Sequence, residues 1–173
     1  RWSYTNGLRW DYTLDDAGNA IETRYYRAPQ YNQESLRNKQ VCKFDGDGNQ
    51  IYYYSVDYSS GGDIEDRSRE FLTYEDGRLA GRICESARPG GEWVVTCHEK
   101  YEYDIVGNSE IQRRYQVRKG NPVLDSQVTT TVKGSTKVVV TEDLSQGGGL
   151  EVTGKTTYKL NEDGQPVKIT HER

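Results

Sequence analysis

The segment Leu14-Asp15-Asp16-Ala17-Gly18-Asn19 returns about 30 residues later as Phe44-Asp45-Gly46-Asp47-Gly48-Asn49. Each copy places an apolar residue before an acidic, glycine-containing run that ends in Asn. Gly and Asn tolerate the positive φ that tight turns require, and Asp and Asn side chains bond their own backbone. The repeated segment therefore predicts a turn that joins two β-strands.

The motif recurs in degenerate form along the rest of the chain. The further copies are Tyr74-Glu75-Asp76-Gly77, Tyr103-Asp104-Ile105-Val106-Gly107-Asn108 and Leu160-Asn161-Glu162-Asp163-Gly164-Gln165. A period of about 30 residues corresponds to one β-hairpin per repeat. Other turn-forming clusters lie between these copies, so that a turn is expected about every 14–15 residues and leaves strands of about 9–11 residues.

The segments between the turns alternate between apolar and polar residues. Tyr101, Tyr103 and Ile105 alternate with Glu102 and Asp104, as a sheet with one covered face requires. Sustained helical periodicity is missing, and residues 33–39 are expected to form at most a short helical turn.

These patterns predict one all-β domain over residues 1–173. The fold is an antiparallel meander of about 12–13 long strands, built from degenerate hairpin repeats of about 30 residues. We expect the meander to curl into a soluble flattened barrel or to form a large twisted sheet.

The composition limits the class of protein. The 173 residues include 14 Tyr, 2 Phe and no Met, so tyrosine is expected to replace aliphatic residues in a thin core. The net charge of −4 argues against a dedicated nucleic-acid binder, which usually carries a basic face. A mean hydropathy of −0.95, with charges in every segment, predicts a chain that does not span a membrane.

The three cysteines suggest one covalent link. If Gly90-Gly91 forms a two-residue hairpin loop, Cys84 lies directly opposite Cys97, with Cα atoms about 4.5 Å apart. The pair is then either a disulfide or two reduced thiols packed side by side. Cys42 is left over and is expected to be a free, buried thiol.

The sequence offers no clear catalytic or metal-binding pattern. Asp45-Gly46-Asp47-Gly48-Asn49 is similar to the start of a calcium loop, but Gln50 and Val56 stand where such a loop needs Gly and Glu, which favours a structural turn. The only two histidines, His98 and His171, are not spaced for a dyad or a zinc site. We therefore expect no cofactor and no metal.

Aromatic residues are the best binding candidates. Consecutive rings such as Tyr52-Tyr53-Tyr54 must lie on both faces of a strand, so at least one ring points outward. Exposed rings suit sugars or protein partners, whereas the alternative is that they shield a thin core. Trp93 is expected to stack with Arg88 as a surface pair. The candidates are Trp2, Trp10, Tyr53, Tyr58 and Trp93.

The segment Tyr101-Glu102-Tyr103-Asp104-Ile105-Val106-Gly107-Asn108 resembles the tyrosine–aspartate (YD) repeat of bacterial Rhs-type surface proteins. In its pattern of degenerate hairpins, the whole chain is similar to secreted or lipid-anchored Bacteroides-type domains of unknown function, which have a porin-like β-meander fold. The resemblance implies a large meander that curls or closes, and a location in the envelope or outside the cell. It implies no established activity and no site residues.

The functional hypothesis is a non-enzymatic, exported β-repeat domain of a bacterial cell envelope that binds a glycan or a cell-surface protein. The chain opens at Arg1, so we expect a signal segment to have been removed and allow a lipid anchor upstream. One alternative is a polysaccharide hydrolase that uses carboxylates carried on turns. Another is a structural or interaction module that pairs through a sheet edge.

Overall fold

The computed structural model of the chain describes residues 8–27 and 35–172, together with the backbone of residues 2–5. Internal contacts divide the chain into two compact units, residues 1–98 and residues 99–173. No helix in the described residues is long and apolar enough to cross a membrane.

The first unit is an antiparallel meander in which each strand pairs with the next along the chain. Its strands are β1 (Trp2–Thr5), β2 (Leu8–Leu14), β3 (Ala20–Arg27), β4 (Ser35–Phe44), β5 (Gln50–Tyr58), β6 (Ile64–Glu75) and β7 (Arg78–Ala87). The strand β8 (Val94–Val106) begins in this unit and ends in the second.

The second unit continues the same pattern of sequential antiparallel pairing. Its further strands are β9 (Ser109–Arg118), β10 (Asn121–Lys133), β11 (Thr136–Leu144), β12 (Leu150–Leu160) and β13 (Pro166–Glu172). The predicted all-β antiparallel meander is therefore confirmed, with 13 strands in sequence order. Of the two expected forms the open sheet is found, because the order of described strands starts at β1, ends at β13 and does not close into a barrel.

Five loops share one hydrogen-bond pattern, which explains the repeated motif. In the loop after β4, the Asp45 N–H donates to the Asn49 carbonyl at 2.9 Å, and the Gly48 N–H donates to the Asp45 carbonyl at 3.2 Å. Gly48 has a φ of 83°, a conformation that favours glycine. The same pair of bonds closes the loops at 15–19, 59–63, 145–149 and 161–165.

Two copies of the motif form a shorter turn. Asp76 and Gly77 alone separate β6 from β7, with φ values of 50° and 72°. Gly107 and Asn108 alone separate β8 from β9, so Asp104 lies within a strand and not in the turn predicted for 104–108. Left-handed residues at a two-residue loop match the twist of the flanking strands, which is why these hairpins close without extra residues.

Two local predictions are wrong. The helical turn expected within 33–39 is replaced, from Ser35 onward, by strand β4, because backbone pairing with β3 and β5 outweighs a weak local preference. The loop between β7 and β8 is not the two residues Gly90-Gly91 but all of 88–93. That longer loop is still centred between Gly90 and Gly91, so it leaves the facing positions of the two strands unchanged.

The disulfide that joins β7 to β8 depends on those facing positions. Cys84 and Cys97 are bonded, with Cα atoms 4.8 Å apart and a sequence separation of 13. Cys42 is a free, half-buried thiol, and burial raises its pKa. The predicted free state of Cys42 is confirmed, whereas its predicted burial is only partial.

The core is thin in the part of the chain that the structure describes. No described side chain is fully buried, and the buried apolar residues are Val56 and Ala87, each 3% exposed. Both belong to the first unit, on β5 and β7. Val56 and Ala87 lie in one cross-strand row, with Arg67 between them.

Candidate binding face of the first unit

The strand register assigns side chains of the first unit to one sheet face or the other. Residues paired across neighbouring antiparallel strands share a face, as do residues two apart on one strand. One face, named here the cation–aromatic face, is built from three cross-strand rows and from Trp93, which contacts them. The rows are Asp11, Arg24, Lys39, Val56, Arg67, Ala87; then Thr13, Glu22, Val41, Tyr54, Arg69, Glu85; then Lys43, Tyr52, Phe71, Ile83.

This face is positively charged, although the chain as a whole carries a net charge of −4. Its three rows hold an excess of cations over acids. The cations are Arg24, Lys39, Lys43, Arg67 and Arg69, and the acids are Asp11, Glu22 and Glu85. The positive charge is therefore concentrated by the register on one side of the sheet.

Trp93 is the aromatic centre of the face. The guanidinium carbon of Arg69 lies 4.2 Å from the centre of the Trp93 ring, and that of Arg67 lies 5.3 Å from it. The Tyr54 ring meets Trp93 edge-on at 6.3 Å. Stacking of guanidinium on indole is favourable at such distances. These contacts hold the ring against the sheet.

The loop that carries Trp93 is fastened to the sheet by Arg67. The Nη2 of Arg67 donates to the carbonyl oxygens of Arg88 at 3.1 Å and Gly91 at 3.2 Å. Within the loop, the Gly91 N–H donates to the Arg88 carbonyl at 3.0 Å. The buried Val56 and Ala87 flank Arg67 in the same row. The loop and the most buried part of the sheet therefore share one anchor.

Ion pairs neutralise part of the charge on this face. Glu85 accepts a hydrogen bond from the Nε of Arg69. Glu22 lies 2.9 Å from the ammonium of Lys39 and 2.7 Å from the guanidinium of Arg24. Lys39, by hydrogen bond and by charge, with Arg24 as the smaller contributor, holds the pKa of Glu22 below its usual range. Lys43 and Arg67, in contrast, lie over the aromatic rings.

A second aromatic pair extends the face toward the other end of the strands. Tyr52 and Phe71 have ring centres 5.4 Å apart, and the ammonium of Lys43 lies 5.4 Å from the Tyr52 ring centre. Phe71 is 38% exposed, which is high for a phenylalanine. The face thus presents partly exposed rings next to cations, a combination suited to a ligand with flat apolar patches and negative groups.

The opposite face of the same strands has a different chemistry. Its central row is uncharged and consists of Thr23, Gln40, Ser55, Ser68 and Ser86. The neighbouring rows contain acids, namely Asp57, Asp66 and Glu70. Asn38 donates from Nδ2 to Ser55 Oγ and to Asp57 Oδ1, both at 2.8 Å. The opposite face therefore carries acids next to an uncharged central row, and its Glu70 is paired with Arg82 at 2.8 Å.

The predicted binding residues do not converge on one face. Trp93 lies on the cation–aromatic face, whereas Tyr53 lies on the opposite face, in a row with Glu70 and the disulfide. Trp10 also lies there and packs on Tyr25 with ring centres 5.1 Å apart. Tyr58 ends β5 beyond a register shift, opposite Ile64.

The remaining candidate, Trp2, is described only through its backbone, which pairs with Asp11, and its side chain lies outside the described residues. The split of Tyr52-Tyr53-Tyr54 between two faces is confirmed. The predicted stacking of Trp93 on Arg88 is wrong, because the ring takes Arg67 and Arg69 from the sheet while Arg88 supplies a backbone carbonyl.

Sequence reasoning missed the arginines. Arg67 and Arg69 alternate with Ser68 in period two, which was a signal that both guanidinium groups share a face. Their meeting with Trp93 was not readable from the sequence, since it depends on the path of the 88–93 loop.

Two of the turn carboxylates, those of Asp15 and Asp45, already accept hydrogen bonds within their own loops. Asp15 accepts from the N–H of Asn19 at 2.8 Å and from its Nδ2 at 3.0 Å, and Asp45 accepts the equivalent bonds from Asn49. These bonds lower the pKa of both acids. The two turns border an open depression of about 590 Å³, with Cys42 in its lining. In the described part of the chain, no group of three or more His, Cys, Asp or Glu could hold a metal ion.

No protein-family model and no curated protein matches this chain. Among solved structures, the chain is similar to the crystal structure of a protein of unknown function from Bacteroides fragilis, at 15% identity and a TM-score of 0.46. That match covers 61% of this chain and 88% of the other. The YD-repeat resemblance receives no support from these comparisons.

Proposed function

We propose that this chain is a non-enzymatic binding module of a bacterial cell envelope, and that its first unit binds an acidic glycan on the cation–aromatic face. The observation that carries the proposal is the excess of cations interleaved with four rings, those of Tyr52, Tyr54, Phe71 and Trp93. A sugar ring stacks on an aromatic side chain through its apolar face. Its carboxylate or sulfate groups pair with lysine and arginine.

The placement of Lys43 supports this kind of ligand. Lys43 lies over the Tyr52 ring, beside the exposed Phe71, so that one cation and two rings are adjacent on the surface. In the described chain Lys43 forms no ion pair, unlike Lys39 and Arg24 nearby. A charged group on a ligand therefore meets a cation that is not already neutralised.

The disulfide supports the export part of the proposal. Disulfides persist in secreted and surface proteins and are rare in reducing compartments. The bond between Cys84 and Cys97 lies at the base of the loop that carries Trp93. An oxidising location such as the periplasm or the cell surface is therefore the proposed setting.

The test compares the binding of polygalacturonate, an acidic polysaccharide, with the binding of neutral dextran. Both are measured by calorimetry at low and at high salt. We expect binding of the acidic polymer alone, weakened by salt because the cations are partly solvated. Lys43→Glu and Phe71→Ser should each weaken binding several-fold. Lys133→Glu, an exposed lysine of the second unit, is the control that makes the same change in charge.

Two results contradict the proposal. Equal binding of both polymers, or equal loss in the Lys43→Glu and Lys133→Glu variants, would remove the cation–aromatic face as the site. Release of reducing sugar that is abolished by Asp45→Asn would instead support the hydrolase hypothesis. Tyr53→Ser, on the opposite face, should leave binding unchanged.

A further inference from the structure

A continuous line of side-chain contacts crosses the cation–aromatic face, from strand β4 to the loop before β8. The ammonium of Lys43 lies 5.4 Å from the Tyr52 ring centre, which lies 5.4 Å from the ring centre of Phe71. The guanidinium carbon of Arg69 lies 5.3 Å from the Phe71 ring centre and 4.2 Å from that of Trp93. The order of groups along this line, named here the charge–ring line, is therefore cation, ring, ring, cation, ring.

Arg69 joins the two aromatic parts of the charge–ring line and has donors to spare. Its Nε donates to Glu85, which helps to hold the guanidinium between Phe71 and Trp93. Among the described residues, neither Nη1 nor Nη2 of Arg69 has a hydrogen-bond partner, and the side chain is 29% exposed. Two N–H groups of a guanidinium bind a planar carboxylate through both of its oxygens. The middle of the line can therefore accept a carboxylate.

The charge–ring line offers two separate stacking positions, each with its own cation. The first is the pair of Tyr52 and Phe71, whose rings are inclined at 55° and which has Lys43 over the Tyr52 ring. The second is Trp93, which is separated from that pair by Arg69. A sugar ring is similar in size to one aromatic side chain and stacks through its apolar face. A single sugar is therefore too small to cover both positions and to reach both cations.

From this arrangement we infer that the cation–aromatic face recognises two or more consecutive acidic sugars of a linear uronate polymer. One sugar stacks on Tyr52 and Phe71 with its carboxylate at Lys43, and the next stacks on Trp93 with its carboxylate at the Nη atoms of Arg69. This inference rests on the proposed function and adds that one acidic sugar alone binds weakly. Two linked contacts bind more tightly than one, because the second forms without a further loss of translational freedom.

The test compares the galacturonate monomer, dimer and trimer by calorimetry at low salt, with polygalacturonate as the reference. We expect the dimer to bind about tenfold more tightly than the monomer, from one further stacking contact and one further ion pair. Lys43→Gln and Trp93→Leu each impair one position, so each should bring the dimer to within about threefold of the monomer.

Two control variants make the same substitutions elsewhere. Lys133→Gln removes the charge of an exposed lysine in the second unit, and Trp10→Leu removes a tryptophan from the opposite face, where it packs on Tyr25. Both controls should keep the tenfold step between monomer and dimer. Circular dichroism establishes that each variant is folded. If Trp93→Leu is unfolded, Arg69→Lys replaces it, because lysine keeps the positive charge but lacks the two Nη donors, and the step should again shrink.

The outcomes separate this inference from the proposed function. Equal binding of monomer and dimer, an unchanged step in Lys43→Gln, or an equal loss of the step in Lys133→Gln would each overturn the inference. If polygalacturonate still binds the cation–aromatic face in those cases, the proposed function stands without it. If polygalacturonate does not bind the unaltered chain, the proposed function and this inference fail together.

Discussion

The guanidinium of Arg69 is stacked on Trp93, at 4.2 Å from the ring centre, while its Nε donates to Glu85. Arg69 is on β6, Glu85 is on β7, and Trp93 is the last residue of the loop between β7 and β8. One side chain thus ties two strands and a loop together. Because little apolar surface is buried in the described sheet, contacts of this kind supply a larger share of its stabilising interactions.

Replacing Trp93 by alanine should destabilise the first unit by about 2 kcal/mol, from lost stacking and from exposure of the row around Val56. The loss of stability is measured by urea unfolding. Unfolding is monitored by circular dichroism, because this signal does not depend on the tryptophan that the substitution removes. A double-mutant cycle with Arg69→Ala should give a coupling of about 0.5–1 kcal/mol. Additive effects of the two substitutions would show that the stacking contributes nothing.

Reduction of the Cys84–Cys97 disulfide should lower the free energy of unfolding by about 3 kcal/mol, since the bond closes a loop with a separation of 13 residues. The measurement is urea unfolding of the Cys42→Ser variant with and without dithiothreitol. Cys42→Ser by itself should change stability little, because that thiol is only half-buried. An unchanged midpoint after reduction would contradict a stabilising role for the disulfide.

Acid should destabilise the hairpin turns. The pKa values of Asp15 and Asp45 are lowered in the fold by their bonds to Asn19 and Asn49. Groups with a lowered pKa stabilise the fold at pH values above their ordinary value of 3.8, and this contribution is lost as the pH falls through the lowered values.

The measurement is the urea midpoint from pH 6 to pH 2 for the unaltered chain and for the double variant Asp15→Asn with Asp45→Asn. We expect the double variant to start lower at pH 6 and to show a flatter decline in acid. Parallel curves for the two proteins would contradict the assignment of the acid sensitivity to these turns.

Gly48→Ala should cost about 1 kcal/mol, because alanine is strained at positive φ. The φ of Gly48 is 83°, and no atom lies within 4 Å of an added Cβ, so the cost comes from the backbone alone. Gly46→Ala in the same turn is the matched control, since Gly46 also has open space but no positive φ. Equal melting temperatures for the two variants would contradict this explanation of the repeated glycine.

The sequence predicted the fold class well because its signals are local. Leu14–Asn19 and Phe44–Asn49 contain all the atoms that close their turns, from the Asp carboxylate to the left-handed Gly. The turns in the motif copies that begin at Tyr74 and Tyr103 were harder to predict. The choice between a two-residue turn and a longer loop depends on where strand pairing stops.

The residues of the candidate binding face were predicted only in part. Trp93 was named from its residue type, but Trp10 and Tyr53 lie on the other face of the sheet, and Arg67 and Arg69 were missed. A residue's face follows from period two within its own strand. The register between strands is needed to know which residues of the other strands share that face.

The sequence by itself determined that this protein is an antiparallel meander, because turn chemistry and period-two alternation are properties of a few consecutive residues. Only the tertiary structure decided that an excess of cations gathers with the rings of Tyr52, Tyr54, Phe71 and Trp93 on one face. The physical reason is that the cross-strand partners of a side chain are set by both strands of a pair, and the rows of this face lie in stretches of regular register bounded by shifts such as those at Tyr25/Tyr26 and Asp57/Tyr58. Each shift moves side chains relative to their cross-strand partners, and its position depends on both strands at once.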